Sequence, residues 1–257
     1  MKKNVYLGIL AIITTACILL GSMYHFTDLF SFRGHSSGRD SKTESKADMT
    51  VLDDIGEFHS IDCDIDIASL TIQPGDSYNV SWHYKNDNEP EARVENGVLK
   101  LTQKSRNNIL NLKQLAGIHE MDLNVTVPAG AQLDAITVKA DIAEISVQGL
   151  SAKTCTISTD VGDIDLAGLK IPNLSVSCDT GDVDINTSEF TMLSVESDVG
   201  DIDIDTIDDP AAYSMDLKTD VGTVEVNGND HGRHYQAAGS GGKTITVTTD
   251  TGEIEID

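Results

Sequence analysis

Asp160-Val161-Gly162-Asp163-Ile164-Asp165-Leu166 and, nineteen residues on, Asp179-Thr180-Gly181-Asp182-Val183-Asp184-Ile185 decide how this chain folds. The pattern is an alternating run, an Asp-x-Gly corner, and a second alternating run. It returns at Asp198–Ile204, at Asp220–Val226 and at the end of the chain, Asp250–Ile256. Two divergent copies carry Ala in place of the Gly: Asp141-Ile142-Ala143 and Asp66-Ile67-Ala68. From Asp141 onward the steps between successive corner aspartates are 19, 19, 19, 22 and 30 residues. Equal steps of this length mark an internal repeat, the first thing to settle in reading a fold.

The columns of the repeat carry its physics. Five residues before each Asp stand Ile136, Cys155, Leu174, Leu193, Met215 and Ile245; three before stand Val138, Ile157, Val176, Val195, Leu217 and Val247. One before, the residues turn small, and four and six after they are Val, Ile or Leu in every copy. Polar residues separate them, so each copy holds two strands of period two. The corner needs Gly for its backbone angle, and the Asp side chain there can accept from nearby backbone N–H groups. A unit of 19 residues buries no core by itself, whereas stacked copies with aligned columns do. The fold class expected is therefore all-β, a repeat-built, β-helix-like solenoid. A sandwich of hairpins would satisfy the turn spacing alone but has no need of in-register copies.

Outward from the repeats, residues 74–133 interrupt the period. Val80–Tyr84, Val98–Leu101 and Met121–Pro128 alternate as strands, while Ile109, Leu112, Leu115 and Ile118 fit a helical stripe or a buried loop capping the first coil. The last strand, Glu253–Asp257, is expected at the open end, where its carboxylates would block edge pairing. The domain reads as 50–257, irregular over 74–133 and regular over 134–257.

Lys2 and Lys3 precede an uncharged stretch from Asn4 to Thr27 with an apolar core from Val5 to Leu20. That length suits one transmembrane helix, so residues 1–27 are expected to be an uncleaved anchor with its basic tip inside. A cleaved signal peptide, or a lipoprotein signal at Cys17, is the other use of such a segment. Residues 28–49 read as a polar tether. Everything beyond would then lie outside the cell.

The formal net charge is −24, and residues 48–257 hold 12 basic against 39 acidic side chains. Such a surface repels nucleic acid and anionic headgroups. On the outer face, Asp163, Asp182 and Asp201 should form one column, and Asp165, Asp184, Asp203 and Glu225 another. Carboxylate columns of this kind could hold divalent cations weakly, calcium above all; otherwise they keep the sheet soluble and unpaired. Cys63, Cys155 and Cys178 point inward and read as small buried residues, the last two beyond disulfide reach of each other. Asp230-His231-Gly232-Arg233-His234 reads as an exposed, flexible connection. Acid pairs abound but belong to the repeat, no nucleophile motif stands out, and no basic cluster is visible that would stabilise negative charge. An enzyme is not expected, and neither are a cofactor nor catalytic residues.

The Asp-x-Gly-Asp-[Ile/Val]-Asp-[Ile/Val] repeats, with the strand Val125-Thr126-Val127-Pro128 before them, resemble the DUF4097 "putative adhesin" β-repeat family over roughly residues 55–257. The resemblance implies an extracytoplasmic β-solenoid of a Gram-positive bacterium, with no catalytic residues carried over. Two roles follow as expectations. One is a membrane-anchored surface display or adhesion module that binds a wall or host component. The other is the ectodomain of a cell-envelope stress system acting through membrane-protein partners.

Overall fold

The computed structural model describes residues 49–52, 55–83, 89–104 and 122–257, within the unit Lys46–Asp257. The expected anchor (1–27), the tether except Met49, and the stripe Ile109–Ile118 lie outside the described residues. Among the described residues the chain is all-β, without an α-helix, and no helix is long and apolar enough to cross a membrane.

Each repeat forms one coil with a strand on either side of its corner. The pairs are Ser151–Val161 with Ile164–Ala167, Asn173–Thr180 with Val183–Ser188, Met192–Val199 with Ile202–Thr206, Tyr213–Val221 with Val224–Val226, and Lys243–Thr251 with Ile254–Ile256. The two Ala-bearing copies run through the corner as single long strands, Ser60–Gly75 and Gln132–Gln148. Ala68 and Ala143 keep extended backbone there, so no glycine is required.

Neighbouring coils pair in parallel with like residues opposite: Ile136 with Cys155, Cys155 with Leu174, Leu174 with Leu193. This in-register parallel ladder is the solenoid arrangement and excludes hairpins packed as a sandwich. A short third side closes each turn, bridging Ser151 to Lys170 and Lys170 to Glu189. The enclosed core is aliphatic, with columns such as Val138, Ile157, Val176, Val195, Val247 and Leu217 almost wholly buried. Each fully buried Val, Leu or Ile is worth about 1.5–3 kcal/mol. A coil thus gains its core only between two neighbours.

Coil order departs from chain order at both ends. The final repeat does not close the stack. Lys243–Thr251 pairs with Met192–Val199 on one side and Tyr213–Val221 on the other, so Ile245 sits between Leu193 and Met215 in their file. Ile254–Ile256 likewise lies between Ile202–Thr206 and Val224–Val226. The terminal strand is therefore interior, against the expectation that it guards the edge. At the other end, Ser60–Gly75 lies between Gln132–Gln148 and an outer split coil made of Val98–Gln103 and Asp122–Pro128.

Antiparallel strands cover both outermost coils. Glu91–Glu95 and Asn79–His83 flank the split coil, with Thr50–Leu52 beyond. His234–Ala237 flanks Tyr213–Val221, and Asn229–Asp230 flanks Val224–Val226. The segment expected as a flexible His-bearing connection is thus a cap. Its His234 Nε2 lies 3.1 Å from Asp216 Oδ1, and Gly232 N donates to Asp230 Oδ1 at 2.6 Å.

Candidate binding faces and groove

Stacking turns each sequence position into a line of like side chains about 4.8 Å apart. The corner aspartates form the longest line. The pairs flanking them place Asp66, Asp141, Asp160, Asp179, Asp198, Asp250 and Asp220 in succession. Lysines close both ends. Lys104 Nζ donates to Asp64 Oδ1 at 2.8 Å and Asp66 Oδ1 at 3.0 Å, and Lys218 Nζ lies 2.8 Å from Asp220 Oδ1. Inside the line, desolvation followed by Asp66 and Asp160 pushes the Asp141 carboxyl above its ordinary value. Desolvation, with Asp160 and Asp198, does the same to Asp179.

Just past the glycine runs the column Asp163, Asp182, Asp201. These side chains hold the stack together: Asp182 N donates to Asp163 Oδ1 at 3.0 Å, Asp201 N to Asp182 Oδ1 at 2.9 Å, and Glu253 N to Asp201 Oδ1 at 2.8 Å. One oxygen of each carboxylate is thereby committed to the next coil's backbone, a use that explains why acid recurs there. The column Asp165, Asp184, Asp203 continues through Glu255 before reaching Glu225. Burial and like-charge neighbours raise Asp184, Asp203 and Glu255. Among the described residues no three or more His, Cys, Asp or Glu side chains gather in a metal-holding arrangement.

The three expected inward cysteines are buried and free. Burial pushes the Cys155 thiol up to about 12 and that of Cys178 up to about 11. Both are therefore unreactive as nucleophiles at neutral pH.

Two features escaped the sequence reading. The outer face of the strands before the corner carries an array of hydroxyls, including Thr154, Thr156, Ser175, Ser194, Thr244 and Thr246, along a shallow trough of about 350 Å³. The second is a groove of about 350 Å³ on the third side, where Lys153, Lys170 and Lys243 converge with Ile171, Pro172 and Glu189. Only five Lys or Arg occur from residue 141 to the end, so this groove gathers most of them. Lys153 Nζ lies 2.5 Å from Asp134 Oδ1, and the Asp134 carboxyl is lowered by Lys153 first and His59 after. Lys243 pairs with Asp208 and stands 5.5 Å from the centroid of the Tyr213 ring, which packs on Phe190 at 5.4 Å. Lys170 is exposed and has no carboxylate within 4.0 Å among the described residues. The lysines are far apart in sequence, and only the stacking of the third sides unites them.

The profile of a family described as Toastrack DUF4097 matches residues 58–226. A solved structure titled a "putative cell adhesion protein" from Clostridium sporogenes is similar at 15% identity and TM-score 0.49, covering 81% of this chain and 97% of its own. A "putative adhesin" from Bacteroides fragilis is similar at 14% and 0.44, covering 81% and 96%. A "putative lipid binding protein" from Parabacteroides distasonis is similar at 14% and 0.31, covering 82% and 96%. No curated protein matches the chain.

Proposed function

Because the chain belongs to the Toastrack DUF4097 family, we propose that it is a non-catalytic binding module displayed outside the cell, anchored in the membrane by residues 1–27 and spaced from it by residues 28–49. The observation that carries this is the periodicity of the surface. Hydroxyls repeat coil after coil along the strands before the corner, which end in the line of corner aspartates, carboxylates repeat along the strands after it, and like residues face one another across parallel strands. Such a surface suits a partner that is itself repetitive, as wall and host-surface polymers are. Catalysis needs a singular constellation of groups, whereas these acids recur in columns and part of them serve the backbone. The basic tip at Lys2 and Lys3 and the apolar run from Val5 to Leu20 support the anchor and its orientation.

Protease treatment of intact cells tests the placement. The C-terminal domain should be stripped while the membrane is sealed, and cells without the chain should lose retention on the surface material that the domain binds. A domain protected until the membrane is opened would end the proposal.

A further inference from the structure

The groove on the third side is built differently from every other face of the stack. Its floor is apolar and rigid: Ile171 is buried, Pro172 is exposed, and Phe190 lies beneath, buried against Tyr213. Backbone bonds lock it, with Ile171 N donating to Glu189 O at 2.9 Å and Thr191 N to Pro172 O at 3.0 Å. The rim mixes donors and acceptors, Lys153, Lys170 and Lys243 against Glu189, with Gln132 and Thr191 between. Lys153 and Lys243 occupy one column three coils apart, about 14 Å at the usual strand spacing. The groove is therefore elongated along the stack.

Its charge is balanced. Lys153 and Lys243 have Asp134 and Asp208 as partners, Glu189 is exposed, and Lys170 has no carboxylate partner within 4.0 Å among the described residues. On a chain of net charge −24, an anionic group meets repulsion over the carboxylate columns but not here. The exposed Pro172 ring takes the C–H face of a sugar ring, while Glu189, Gln132 and Thr191 serve its hydroxyl and amide groups. The Lys170 ammonium, a compact point charge on a long stem, is placed for a single anionic substituent.

We infer that this groove binds a glycan segment of otherwise neutral rings bearing a carboxylate, with that carboxylate at Lys170 and a ring over Pro172. The inference rests on the surface-binding role for the origin of the glycan, but binding by the purified chain is read independently of where the chain resides. A long polyanion is disfavoured by the flanking acid columns; a glycan in which carboxylates alternate with neutral rings is not.

The test is calorimetric titration and saturation-transfer NMR on the purified full chain in detergent micelles, with three tetrasaccharides. One alternates N-acetylglucosamine with N-acetylmuramic acid, as in bacterial wall; one is a hyaluronan fragment, as on host surfaces; one is neutral chitotetraose. At least one carboxylated glycan should bind about tenfold more tightly than chitotetraose, the value of one charge-assisted hydrogen bond. Which of the two binds better identifies the source. Lys170→Gln should erase the preference, and Lys218→Gln, at the far corner, should leave it intact. Equal binding of neutral and charged glycans, a preference that survives Lys170→Gln, or no binding of any would overturn the inference. Protease stripping of intact cells could still succeed in each of those cases, so the two failures are separable.

Discussion

Gly200→Ala should cost this protein far more than a glycine-to-alanine change normally does, and the reason is contact between coils rather than local conformation. Gly200 turns its corner at φ +154°, and a Cβ built there would lie 1.9 Å from the carbonyl oxygen of Gly181 in the neighbouring coil. Carbon and oxygen tolerate about 3.3 Å, so the coils would have to part by about 1.4 Å. That opening strains Gly181 N to Val199 O (3.0 Å), Val183 N to Asp201 O (3.0 Å) and Asp201 N to Asp182 Oδ1 (2.9 Å). At about 1 kcal/mol per bond, with about 1–2 kcal/mol for an L-residue at this φ, the loss is about 4–5 kcal/mol. Gly130→Ala separates the two causes. Gly130 also has positive φ, +84°, but nothing lies within 4 Å of its added Cβ. Only the conformational cost, about 1 kcal/mol, should appear there. Urea denaturation of both variants beside the parent gives the comparison. Equal midpoint shifts would show that the glycines serve the turn alone and that the coils are not held at contact distance.

Two further outcomes follow from the same stack. Asp179→Asn should stabilise the protein by about 0.5–1 kcal/mol at neutral pH and low salt, because it removes two like-charge neighbours about 4.8 Å away on a solvent-exposed line. Since the Asp179 carboxyl is raised in the folded state, that state holds more protons there than the unfolded chain. The parent's deficit therefore shrinks as pH falls from neutral through the raised value towards 3.8, and the variant's advantage should vanish with it; an advantage independent of pH and salt would refute the charge ladder. Removing residues 243–257 should abolish amide-exchange protection in Tyr213–Val226 and also lower it at the amides of Met192–Thr206 that bond the last coil, such as Gly200 and Ile202, since that coil lies between them, and Ile245→Ala alone should cost about 2–5 kcal/mol. Loss confined to Tyr213–Val226 would mean that the coil is not interior.

The columns were legible because a parallel stack imposes one requirement on every coil: apolar residues at fixed offsets from the corner. Leu174, Leu193, Ile245 and Met215 do form one file, as their common offset demands. Their order within it was not legible, for the same reason. Ile245 fits beside Leu193 or beside Met215 equally well, so like columns fix register but not neighbours. The steps of 22 and 30 residues marked the irregularity: the first contains the 3-10 turn Pro210–Ala212, and the second contains the capping strands Asn229–Asp230 and His234–Ala237. The recurrent acid at 163, 182 and 201 was visible as a column, but its bonds to the next coil's N–H depend on side-chain direction, which periodicity does not give. Least legible was the groove. Lys153, Lys170 and Lys243 share no repeat position as a set, and a charge count over the domain hides three lysines among the acids.

The displaced coils at both ends solve a problem that a sequentially wound stack leaves open. A terminal strand laid on last would offer a free chain end and an unpaired edge at the same place. Here each outermost coil is instead covered by antiparallel strands adjoining it in the chain, and the coil beside it is supplied by the first or last repeat. At the C-terminal end this has a kinetic consequence. Among the described residues Tyr213–Val221 pairs in parallel only with Lys243–Thr251, so before the last repeat arrives it has its antiparallel cap and the packing of Tyr213 on Phe190 but no strand pairing to the stack. The final fifteen residues must close a gap between two coils rather than extend a surface, and the gain comes from both sides at once. Docking of Tyr213–Val226 is therefore all-or-none with respect to residues 243–257. The cooperativity of that end resides in its last strand pair, not in nearest-neighbour propagation along the chain.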